Sequence, residues 1–289
     1  MQSDADFLHL VEGPEPGTFG FQVTSDLARI DGKLYGGTAI AASITAAELV
    51  TGRLPLWMTT QFVSTAPADA DVGVAVEVLA EGGRTSQVRV TGTDAAGTVM
   101  FASLGATGNL STSMPSQFFE RMPDVSSPED ADRWGGPFAT IAKVLPDGVE
   151  MPVVPMDVGF HNVLEFREPE ILDHPDDGPG RMCLWVRRRD GGVATPAIVA
   201  FMADLVPLSL SLALGIVAAG MSLDNTIRIG EHVPTGWVLL DLRPHLSIGG
   251  FGHGVAHAWT PDGHLLATAS QTAAMRTFDI AAMSKGRRA

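Results

Sequence analysis

The chain is similar to itself at a shift of 166 positions, and this restricts its architecture more than any other feature of the sequence. At that shift residues 75–107 fall on residues 241–273 without a gap. Val74-Ala75-Val76-Glu77-Val78 answers Leu240-Asp241-Leu242-Arg243, and the turn Asp94-Ala95-Ala96-Gly97 answers Thr260-Pro261-Asp262-Gly263. The apolar strand Val99-Met100-Phe101-Ala102 answers Leu265-Leu266-Ala267-Thr268, and upstream the apolar run 39–50 falls on 205–216. Identity is low, so the order of elements carries the repeat. One unit is written twice, and 289 residues make two domains of ordinary size.

Each unit opens with a helix of small and apolar residues. In the first it runs over residues 37–50 and is closed by Gly52. Nearly every face of it is apolar, so it is expected to be surrounded rather than to lie on a surface. Three strands follow, joined by tight turns of Gly, Asp and Pro, and connections this short favour antiparallel pairing. The expectation is an α+β protein of two antiparallel sheets, each curled around a long buried helix. The boundaries are 1–110 and 158–289, with 111–157, rich in Pro, Ser, Asp and Glu, as a linker crossing a surface.

With 45% hydrophobic and 18% charged residues the chain is not disordered, and a net charge of −14 repels nucleic acid and anionic membranes. The single Cys183 cannot close an intrachain disulfide, which fits a reducing cytoplasm. The start, Met-Gln-Ser-Asp-Ala-Asp, lacks the basic region of a secretory signal. From Ala197 to Leu223 the sole charge is Asp204, and Leu205 to Leu223 approaches the length of a membrane span. Pro207, Ser209 and Ser211 interrupt that run, so a buried helix is expected instead.

Asp204 is therefore the first candidate for chemistry. A carboxylate in apolar surroundings is costly, and its pKa can rise until it serves as a general base toward water. The plain alternative is a helix N-terminal acid or the partner of an Arg. The first unit has Thr38 at the equivalent place, so the acid belongs to one unit. Gln271, in a strand of small residues, can donate to an oxyanion and accept from water; the first unit has Gly105 there. The Ser222 hydroxyl either orients a water or caps a turn. Gly36-Gly37 before the first helix leaves N–H groups open to a carbonyl oxygen, or simply forms a tight turn.

Other motifs are set aside. Gly249-Gly250-Phe251-Gly252-His253-Gly254 leads into a strand, so it is not a dinucleotide fingerprint. His253 and His257 share one face of that strand but have no third ligand, and no metal is expected. No Gly-x-Ser-x-Gly elbow occurs.

Together these residues resemble the type II acyl-CoA thioesterases, double hot-dog proteins of the TesB-like kind. The resemblance rests on Tyr35-Gly36-Gly37-Thr38, Ala203-Asp204, Ser222-Leu223-Asp224-Asn225-Thr226 and Leu265 through Gln271. It implies hydrolysis of a fatty acyl-CoA thioester by a water that Asp204, Ser222 and Gln271 hold, with Gly36, Gly37 and Thr38 binding substrate and no cofactor. Two positions depart from the family pattern. Ser222 stands where Thr is usual, and Asn225 where a His often follows the acid. The departures motivate an alternative, a non-catalytic acyl-CoA or acyl-carrier binding protein. A hydratase is disfavoured because Asp224-Asn225-Thr226-Ile227-Arg228 supplies no His. Coenzyme A is polyanionic, so Arg84, Arg89, Arg228, Arg243 and Arg276 are candidates for a local basic patch. A homo-oligomer is also expected, through exposed sheet edges.

Overall fold

The computed structural model describes residues 3–111, 113–143, 145, 158–172 and 178–277. Its strands are β1 (Val11–Glu12), β2 (Thr18–Gln22), β3 (Leu54–Phe62), β4 (Asp71–Glu81), β5 (Thr85–Asp94), β6 (Val99–Gly108), β7 (Asp132–Arg133), β8 (Leu164–Glu168), β9 (Met182–Arg188), β10 (Ala218–Ile229), β11 (Val238–Ile248), β12 (Phe251–Trp259) and β13 (Leu265–Thr277). Its helices are α1 (Asp4–Phe7), α2 (Gly36–Thr51), α3 (Gly136–Ala142), α4 (Pro196–Met202) and α5 (Val206–Leu214). The repeat is visible in the strands: β5 and β6 start at Thr85 and Val99, and β12 and β13 start 166 residues later at Phe251 and Leu265.

The expectation of two sheets needs correction. One antiparallel sheet of 13 strands runs β1-β2-β4-β5-β6-β3-β10-β13-β12-β11-β9-β8-β7. The cause is a single pairing. Strand β3, the edge of the first half, lies against β10, the edge of the second, in register from Asp224 opposite Gln61 to Arg228 opposite Trp57. Joining them satisfies backbone groups that two separate sheets would leave open.

The first helix is as the sequence implies. Gly52, at φ 61°, ends α2 in the left-handed region, and Ile40 and Ile44 within it are fully buried. Each contributes roughly 1.5–3 kcal/mol relative to exposure. Val88 and Val90 alternate on β5 with exposed neighbours and close over this helix. The second long helix is not continuous. Pro207 has no N–H to give the carbonyl of Ala203 and its ring crowds that carbonyl, so the helix stops at Met202 and restarts at Val206. By length and composition Pro196–Leu214 could cross a membrane, yet 72% of its most apolar window is buried inside the protein.

The described residues between 113 and 143 make contacts of their own with the second half. Val125 bridges Ile171, Trp185 donates its indole N–H to the Ser126 carbonyl at 2.9 Å, and Trp134 is buried with its indole on Thr140. Part of this segment covers a second apolar cluster of Trp185, Trp237, Leu239 and Trp259 on the opposite face of the sheet. Residues 146–157 of the expected linker lie outside the described residues.

Candidate active site

The helix break puts Asp204 where α4 meets the start of α2. That approach depends on glycine: a Cβ at Gly37 would overlap the Phe201 carbonyl, and one at Gly36 would overlap the Asp204 carboxylate. Asp204 is buried, 6% exposed, and its carboxylate accepts a hydrogen bond from the Gly37 N–H at the positive end of α2.

Two strands bring the other groups. A bulge between Ser222 and Asp224 adds one residue to β10, so Ser222 and Asn225, three apart, both point toward the helices. Asn225 lies opposite Gln271 on β13. Its amide donates to Asp204 Oδ1 at 3.2 Å. The Gln271 amide donates to the same oxygen and to Ser222 Oγ, the latter at 2.6 Å. Burial pushes the Asp204 pKa up to about 7, although the Asn225, Gly37 and Gln271 hydrogen bonds pull it down. The acceptor oxygens of Asn225 and Gln271 are buried without a hydrogen-bond partner among the described residues.

Such a set holds a carboxyl group near its titration midpoint at neutral pH, with amides fixing one of its oxygens. It suits a proton acceptor toward a water brought against Asp204.

The halves of the chain match two sequence profiles. Residues 23–106 match the acyl-CoA thioesterase N-terminal domain, and residues 124–275, more than half of the chain, match the acyl-CoA thioesterase C-terminal domain.

The chain belongs to the acyl-CoA thioesterase family.

Solved structures agree. A protein from Novosphingobium aromaticivorans assigned as a thioesterase is 30% identical, with a TM-score of 0.77 over 92% of this chain and 97% of that one. A conserved hot-dog protein from Alicyclobacillus acidocaldarius, at 19% identity, superposes with a TM-score of 0.76 over 96% of this chain and all of its own. The acyl-CoA thioesterase II TesB2 of Mycobacterium marinum, 18% identical, gives 0.71 over 96% and 99% of the two chains. The fold is thus of the hot-dog type. No functionally curated protein sequence matches.

In this family member Asp204, Ser222 and Gln271 lie together, and Gly36 and Gly37 border them. Thr38 does not join them, because its buried hydroxyl donates to the Leu27 carbonyl at 2.9 Å and so ties α2 to the preceding loop. Asn225 was legible only as a departure; its place on the carboxylate follows from the β10 bulge, which no local residue pattern announces. Among the arginines, Arg89 pairs with Glu77, and Arg243 shares the buried Asp241 with Arg181. Gly249 and Gly250, at φ 59° and 83°, form the two-residue turn between β11 and β12, so this glycine-rich run leads into a strand.

Proposed function

We propose that this thioesterase hydrolyses fatty acyl-CoA to free acid and coenzyme A. The buried Asp204 carboxylate, fixed by Gln271 and Asn225 at a pKa near 7, carries this reading. Asp204 takes a proton from the water as the water oxygen bonds to the thioester carbonyl carbon. The C–S bond then breaks, and the proton passes to the departing thiolate sulfur. Ser222 and Gln271 orient the water, and the α2 N-terminal turn at Gly36-Gly37 stabilises charge gained by the carbonyl oxygen. The architecture supports two fused hot-dog units, 1–110 and 158–289 joined by 111–157, with the site between them because Gly37 comes from one and Asp204 from the other. A cytoplasmic homo-oligomer acting on acyl-CoA, without nucleic acid or membrane, fits the acidic surface and the lone buried Cys183.

Thiol release from a panel of acyl-CoA chain lengths tests the proposal. Because the working form of Asp204 is deprotonated, kcat should fall about tenfold per unit below pH 7 and level off above it. A profile that stays flat from pH 5.5 to 8.5 would remove Asp204 as base. Saturable acyl-CoA binding with no thiol release at any chain length would favour the non-catalytic binding protein.

A further inference from the structure

At the far edge of the sheet, β7 and β8 border a cavity of about 520 Å³ lined by Arg133, Arg167 and Arg189 together with Asp132, Glu165 and Trp134. Its volume lies within the range of small-molecule sites. Arg167 is held in place: its Nε donates to Glu165 at 3.0 Å, and its Nη1 donates to the Pro128 carbonyl at 2.8 Å. Arg133 and Arg189 are exposed and have no ion pair among the described residues. Three guanidiniums against the two carboxylates of Asp132 and Glu165 leave the lining net positive in a chain with 19 basic against 33 acidic residues. Planar forks with free N–H groups match phosphate oxygens.

The wall of the cavity packs into the same apolar core as the residues around the candidate active site. Trp134 in its wall is 6.2 Å from the His161 ring, His161 is 4.0 Å from Phe160, and Phe160 stacks on Tyr35 at 3.9 Å. Tyr35 is the N-cap of α2, next to Gly36 and Gly37.

We infer that this cavity binds the phosphate groups at the nucleotide end of acyl-CoA while the thioester lies at Asp204. The inference rests on the acyl-CoA reading above. It is tested with Arg133→Glu/Arg189→Glu, two exposed changes that leave Arg167 and the core untouched. The KM for acyl-CoA should rise about tenfold or more with kcat unchanged, and the KM for the matching acyl-N-acetylcysteamine thioester, which has no phosphate, should stay as in the wild type. Adenosine 3′,5′-bisphosphate, titrated calorimetrically, should bind the wild type more weakly as salt rises and should not bind the variant. An unchanged KM for acyl-CoA, or equal shifts for both thioesters, overturns the inference. If the wild type hydrolyses neither thioester, the thioesterase reading fails on its own; bisphosphate binding to the wild type and not to the variant then upholds the cavity, and equal binding by both overturns it.

Discussion

Asp204→Asn should lower kcat for acyl-CoA hydrolysis by about 10²–10⁴-fold, the usual contribution of a placed general base. The amide keeps an acceptor for the Gln271 and Asn225 donors but cannot take a proton from water, so KM should change little. The same variant has an opposite signature in stability. Asp204 has its folded pKa raised to about 7 from an ordinary value of 3.8, so the native state holds the proton more tightly than the unfolded chain. The wild type therefore loses stability as pH rises between those values, by on the order of 4 kcal/mol if the whole shift is expressed. Asn does not ionise. The variant should melt at or above the wild type at pH 8, and that difference should shrink toward pH 5. Thermal melts at the two pH values, run beside the thiol assay, check both parts. A variant as active as the wild type would end the general-base mechanism.

Gly36→Ala should be nearly as damaging for a geometric reason. The added methyl would overlap Asp204 Oδ2 and come within 2.9 and 3.1 Å of the Phe62 ring. The ring can turn aside, but the carboxylate is held by Gln271, Asn225 and the Gly37 N–H. Either the carboxylate or the α2 N-terminus must shift. Overpacking of this kind costs about 1–3 kcal/mol, and a misplacement of about 1 Å in a reacting group costs about 100-fold in rate. We expect kcat to fall by about 100-fold with a modest loss in melting temperature. Ala at Gly97, a turn glycine at φ 81° with open space around its Cβ, serves as the control that disturbs the backbone without touching the site.

Much of this was legible because it was written locally. Gly52, the turn Asp94 to Gly97 and the apolar alternation of β5 each announce their structure through neighbouring residues. Asp204 stood out because its stretch has no other charge, and Gln271 because its strand is otherwise small. Three features were not local. The β3–β10 pairing joins residues about 170 apart through backbone groups that any sequence possesses. The β10 bulge decides which side chains face inward, and with it the place of Asn225. Arg133, Arg167 and Arg189 are scattered between an expected linker and two strand ends, and the fold alone collects them. The direction of the Thr38 hydroxyl is hidden for a related reason: it has the Leu27 carbonyl in reach, and a sequence does not show which acceptor is nearer.

The strand pairing that makes one sheet of two halves also fixes the stoichiometry. At the repeat offset from Asp204, Ser222 and Gln271 stand Thr38, Leu56 and Gly105, and Met58 Sδ lies 2.7 Å from the place where a Gly105 Cβ would be. These mirrored positions carry neither acid nor amide, and Met58 packs against Gly105. A pair of identical subunits would present two equivalent centres, and every substitution would strike both. Here the covalent link frees one half to specialise as a wall, so a tight-binding substrate analogue should saturate at one equivalent per chain.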